Sequence, residues 1–188
     1  MKTNKACDAA TYPFRAGEKI LLDANIWLML QPPSGRPDTT GATAVYSSAF
    51  ARLMRANAEP VIESLVLSEY LNRYLRLEYN GSWEGRYGRN GGFKAFRRSA
   101  DFLPLGRSAV VDARRILSLA STRDSPLHLV DLPSILSETE AGGLDFNDGM
   151  LAETCRLRGW KLLTHDRDMT VGGIEVLTAN GKLLRACP

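Results

Sequence analysis

The chain has 188 residues and a net charge of +3, with 44% apolar and 24% charged residues, proportions that suit one soluble domain able to bury a core without staples. Its three cysteines, Cys7, Cys155 and Cys187, are odd in number, far apart and match no metal spacing, so they read as free thiols of a reducing compartment. The most apolar window, Ile20 to Leu30, is too short to span a bilayer and carries Asp23, while Met1 to Phe14 lacks the apolar core of a signal peptide; no membrane partner and a cytoplasmic location are expected.

The first clear element is Ile20-Leu21-Leu22, a buried strand that delivers Asp23 to its C-terminal end, with Asn25 turning the chain into a short helix. Gln31 to Pro37 is a turn-forming run, and Thr39 or Thr40 is placed to cap the next helix. That helix runs from Ala44 to about Asn57, with Val45, Ala49, Leu53 and Met54 at helical spacing. Pro60-Val61-Ile62 is a brief strand. Ser64 then reads as the N-cap of a helix from Leu65 towards Glu78, with Leu67, Leu71, Tyr74 and Leu75 on one face and Glu69 at its rim. A glutamate there is either paired or serves a site.

Asn80 to Gly92 reads as a loop rich in glycine and arginine. Phe93 to Phe102 reads as a helix stopped by Pro104, and Ser108 to Leu119 as another. His128 lies in the strand-like run Leu127 to Val130 and is given no role. Pro133 to Glu140 has room for a single helical turn. Gly142 to Asn147 leads into a helix from Asp148 to Arg158, ended by Gly159. Trp160 to Thr164 is a strand that brings Thr164, Asp166 and Asp168 to its C-terminal end, and Ile174 to Leu177 is a last short strand. Strands alternating with helices predict a Rossmann-like α/β domain, a mainly parallel sheet of four or five strands with helices on both faces. Ligands of such sheets bind at the carboxyl ends of the strands.

Asp23, Glu69, Asp148 and Asp166 all fall near that edge. Each has a plain structural reading: Asp23 as a helix cap, Asp148 as a first-turn acid favoured by the helix dipole, Asp166 as a turn residue. Together, clustered like charges raise one another's pKa values and call for a cation. An oxygen-only ligand set suits a hard divalent ion, Mg²⁺ or Mn²⁺, able to lower the pKa of an attacking water. Asp145 reads as a cap or turn acid, Asp168 as a helix-starting turn residue with a second ion as the alternative, and His165 as an exposed loop residue beside the site.

Leu21-Leu22-Asp23-Ala24-Asn25, Leu65 to Leu71, Asp145 to Ala152 and Leu162 to Asp168 together resemble a PIN-domain ribonuclease of the VapC-toxin type. The resemblance implies a PIN-like fold over residues 1–188, with Asp23, Glu69, Asp148 and Asp166 as catalytic, metal-binding acids. Asn25 and Thr164 would support them by hydrogen bonding. It also implies metal-dependent endonucleolytic cleavage of RNA, and often a cognate antitoxin and homodimerisation. The sequence departs from a minimal member around residues 80–101, a basic Gly/Arg-rich insertion, and at Gly149, where alanine is commoner.

Between Arg73 and Arg123 there are eleven basic and four acidic residues, a net of +7, leaving −4 for the remainder. A basic middle beside an acidic edge is the layout of a nuclease that draws in phosphates, and Arg73, Arg86, Arg89, Lys94, Arg97 and Arg98 are the candidate RNA contacts. Trp83, Tyr87, Phe93 and Phe96 could stack on unpaired bases or lie in the core; helical spacing favours the core for the two phenylalanines. The alternative function is a PIN-like module that binds nucleic acid or protein without cutting. A small-molecule phosphohydrolase is disfavoured because Asp23-Ala24-Asn25 lacks a second aspartate two residues on.

Overall fold

The computed structural model describes residues 2–33, 41–89 and 91–188, so the expected cap at Thr39 or Thr40 lies outside the described residues. In β2 (Lys19–Leu22), Ile20, Leu21 and Leu22 are all fully buried. Successive strand side chains point to opposite faces, so this strand is covered on both sides, as a central parallel strand requires. Six parallel strands line up in the order β1-β6-β5-β2-β3-β4. The others are β1 (Lys5–Asp8), β3 (Glu59–Ile62), β4 (Ser121–Thr122), β5 (Lys161–Leu163) and β6 (Glu175–Thr178). Leu22 pairs with Leu163 and Leu163 with Leu177, so three strands end side by side.

The sheet thus exceeds the four or five strands expected. Both extra strands lie at its edges, and neither β1 nor the two-residue β4 carries an apolar run to announce it.

The helices follow the expected order with informative differences. After α1 (Ala24–Leu30), α2 (Ala42–Arg55) buries Tyr46, Ala49 and Leu53, whereas Met54 faces solvent. In α3 (Ser64–Glu78) the N-cap position falls on Glu63 rather than Ser64, and the fully buried stripe is Val66, Tyr70 and Tyr74, flanked by the partly buried Leu67, Leu71 and Leu75. The expected loop over 80–92 is largely helical: a π turn (Tyr79–Trp83) leads into α4 (Glu84–Tyr87) and then α5 (Gly92–Arg97). Pro104 stops nothing; it sits in the first turn of α6 (Phe102–Leu119), where a missing N–H breaks no intrahelical bond. Leu127–Leu129 is a 3₁₀ turn, not a strand, and His128 is exposed.

Further along, α7 (Leu132–Glu140) is a full nine-residue helix capped by Asp131. It packs on α8 (Phe146–Arg158) so tightly that a Cβ on Gly149 would lie 2.7 Å from Ile135 Cγ2. The chain closes with α9 (Gly181–Ala186) against β1 and β6.

Candidate metal centre

Asp23 follows the last residue of β2 and holds the N-cap position of α1, but its side chain makes no capping hydrogen bond. It is buried, 4% exposed, and turned towards β5 instead. Its Oδ2 accepts from Thr164 Oγ1 at 2.6 Å and from Asn25 Nδ2 at 2.6 Å. Asn25 Nδ2 also reaches Thr164 Oγ1 at 3.1 Å, and Asn25 Oδ1 accepts the His165 N–H at 3.1 Å. The three side chains therefore form a closed set across the ends of two adjacent strands. Burial pushes Asp23 up to about 6; the Thr164 hydrogen bond works against that shift, and the charge of Glu69 adds to it.

Asp148 occupies the first turn of α8, where Asp145 Oδ1 accepts its N–H at 2.9 Å, so Asp145 is the helix cap. Burial lifts Asp148 to about 7, and the charges of Asp145, Asp166, Asp23 and Glu69 all push the same way. The helix dipole favours the ionised form, yet here desolvation and four neighbouring carboxylates outweigh it. Asp166 N–H donates to Thr164 Oγ1 at 3.0 Å, and Asp166 Oδ1 accepts the Asp168 N–H at 2.8 Å, so part of its carboxylate holds a turn. Glu69 lies in the second turn of α3, a quarter exposed, with Arg73 Nη1 at 3.2 Å from its Oε1. A pair this open contributes only a few tenths of a kcal/mol.

The four acids thus share one edge of the sheet, with the charge of Glu69 bearing on Asp23 and those of Asp166, Asp23 and Glu69 bearing on Asp148. Among the described residues no three His, Cys, Asp or Glu side chains form a preformed cation cage. The acids are neighbours electrostatically rather than in ligating contact. Their chemistry fits a hard divalent ion: all donors are carboxylate oxygens, and two of them are held towards neutrality by burial and by the charge of the others. A cavity of about 520 Å³ opens beside two of the four, Asp148 and Asp166, lined also by Asp145, Asp168, Gly142 and Gly143 among others.

Sequence reasoning missed Tyr46. It is fully buried in α2, and its hydroxyl accepts the Ala179 N–H at 2.9 Å, lies 2.8 Å from His165 Nδ1 and reaches the Thr164 carbonyl at 3.2 Å. Asn180 Nδ2 adds a bond to the His165 carbonyl at 2.9 Å. Tyr46 carries no sequence signal, but Thr178 and Asn180 stand at a strand end just as Thr164 does, and that position was a usable clue.

The basic residues divide. Arg73 pairs with Glu69, and Arg86 with Asp101 at 2.9 Å. Lys94 and Arg97 are exposed and line a second cavity, while Arg89 and Arg98 are exposed. Trp83 stacks on Phe96 with centroids 5.2 Å apart, and Tyr87 meets the same ring edge-on, so both belong to an aromatic cluster around the buried Phe96.

Residues 20–173, which hold all four acids, match the family model of the PIN domain. The chain belongs to the PIN-domain family. PIN domains are generally nucleases. This PIN domain is similar in fold to PAE2754 from Pyrobaculum aerophilum, with 18% identity over 90% of this chain and 96% of that one and a TM-score of 0.52. It is also similar to a chain of VapBC2 from Rickettsia felis, solved bound to a DNA fragment from their promoter, with 17% identity over 85% of this chain and 98% of that one and a TM-score of 0.50. Among curated proteins none matches. No helix among the described residues is long and apolar enough to cross a membrane.

Proposed function

We propose that this PIN domain is an Mg²⁺- or Mn²⁺-dependent endoribonuclease whose metal ligands are Asp23, Glu69, Asp148 and Asp166. The reading rests on four acids from separate parts of the chain meeting at one edge of the sheet, where burial first and then the charges of Asp145, Asp166, Asp23 and Glu69 raise the Asp148 carboxyl. A bound divalent ion would supply Lewis-acid stabilisation of phosphate and a water of lowered pKa. The chain's own part is positioning. Thr164 and Asn25 fix one oxygen of Asp23, and Asp145 fixes the first turn of α8 beneath Asp148. Arg73 lies beside Glu69 in a solvent-open pair. The cavity next to Asp148 and Asp166 is where a phosphodiester would approach, and the basic segment between Arg73 and Arg123 would hold the strand through Arg73, Arg86, Arg89, Lys94, Arg97 and Arg98.

Asp23→Ala and Asp148→Asn are each expected to lower RNA cleavage by at least about 10³-fold while the protein stays folded. Calorimetric titration should show Mn²⁺ bound by the wild type and not by Asp148→Asn. Cleavage surviving in both variants would refute the ligand set. A cytoplasmic toxin with a cognate antitoxin, active as a homodimer, is the extension of this reading; co-expression that relieves growth arrest would identify the antitoxin. The second reading, a module that binds without cutting, has one observation in its favour, the lack of a preformed cage among the described residues. Wild-type protein that binds RNA but takes up no divalent ion would establish it.

A further inference from the structure

Between α3 and α5 lies a cavity of about 700 Å³, separate from the one beside the acids and lined by Asn72, Arg76, Phe93, Lys94 and Arg97. Arg73 and Arg86 are paired with Glu69 and Asp101, whereas Arg76, Lys94 and Arg97 have no carboxylate partner among the described residues. Three cations without a carboxylate partner around one concavity create a positive potential that favours an anion. The guanidinium of Arg76 lies over the Phe93 ring, 4.3 Å from its centroid, and Phe93 in turn packs edge-on against Tyr79. A guanidinium set over an aromatic ring offers a stacking platform, and the Asn72 amide beside it offers both a donor and an acceptor.

We propose that this cavity is a nucleotide subsite for single-stranded RNA, taking a backbone phosphate on Lys94 and Arg97 and an unpaired base on the Arg76–Phe93 platform. The inference rests on the ribonuclease reading and locates where the substrate strand continues beyond the acids. Glu69, Asn72, Arg73 and Arg76 follow one another at helical spacing along α3, so the platform stands roughly 10 Å from Glu69 along the helix axis. One strand can therefore occupy both places. A duplex cannot present an unstacked base to the platform, which is why the subsite selects single strands.

The test is fluorescence anisotropy with a labelled 12-nucleotide RNA, single-stranded or annealed to its complement, in EDTA so that no cleavage occurs. Lys94 and Arg97 are exposed, so Lys94→Gln/Arg97→Gln should fold normally. It is expected to bind the single strand about tenfold more weakly than wild type, with a salt dependence shallower by about 0.7 in log–log slope, the value for the one phosphate charge no longer neutralised. The charge-matched Arg114→Gln/Arg115→Gln, on the exposed side of α6, should bind as wild type does. Equal weakening in the two double variants would mean general charge attraction and overturn the subsite, as would no weakening in the first. Wild type that binds duplex as tightly as single strand would also overturn it. Because binding is read without metal, a protein that shows the expected weakening yet never cleaves in Mg²⁺ keeps the subsite and loses the nuclease reading.

Discussion

Glu63 closes β3 at the same edge of the sheet as the acid cluster. It is 3% exposed, and its Oε1 has no hydrogen-bond partner among the described residues. Burial drives its pKa up to about 7; Arg158 draws it down and Asp124 adds to the rise. The folded state therefore holds this proton more tightly than the unfolded chain does. That advantage is fully present below pH 4.5 and is lost as pH rises through about 7. Glu63→Gln keeps the shape and removes the charge, so at pH 8 it should stabilise the protein by on the order of 2 kcal/mol and at pH 4 change little. Urea denaturation at the two pH values checks this; equal effects at both would contradict it. Glu63 was illegible in sequence, where it reads as the residue before a helix cap. Asp23 was legible because a carboxylate ending an unbroken apolar run is conspicuous. What the sequence could not show is that its oxygen would be clasped by Thr164, 141 positions away.

At the scale of elements, chain order and local pattern revealed β2, β3, β5, α2, α3 and α8 to within a few residues. They left out β1 and β4, whose partners rather than whose residues make them strands. The segment after α3 misled for a related reason. Glycines and arginines suggest a loop, but aromatic side chains gathered around Phe96 supply enough packing to hold short helices there. Gly149 is a sharper case. Helix propensity alone says alanine would gain up to about 1 kcal/mol. The close approach of Ile135 says the added methyl must displace α7, at a cost of about 1–3 kcal/mol. The steric term is the larger, so Gly149→Ala should lower stability by about 1–2 kcal/mol in chemical denaturation. Combining it with Ile135→Ala should give a coupling of at least about 0.5 kcal/mol, and strictly additive effects would rule the contact out.

For the molecule as a whole, charge distribution was readable before any coordinates and charge pairing was not. The basic middle and acidic remainder follow from counting. That Arg73 and Arg86 are already paired, while Lys94 and Arg97 meet no carboxylate among the described residues, does not. The acid cluster also sets how stability responds to conditions. Asp23 near 6 and Asp148 near 7 both titrate well above an ordinary aspartate, so metal-free protein should lose stability steadily as pH rises from about 4 to about 7. Saturating Mn²⁺ at about a hundred times its dissociation constant should restore about 2.7 kcal/mol at about pH 7.5 and far less at about pH 5, where protons compete for the same oxygens. Thermal melts with and without the ion read this directly, and a pH-independent gain would argue against the carboxylates as its ligands.

Tyr46 ties α2 to the tips of β5 and β6 through one hydroxyl. The backbone of the residue that grips Asp23 is thus anchored from the helix side, so Tyr46→Phe, which keeps the ring and removes the hydroxyl, should loosen that anchor without disturbing the core packing of α2.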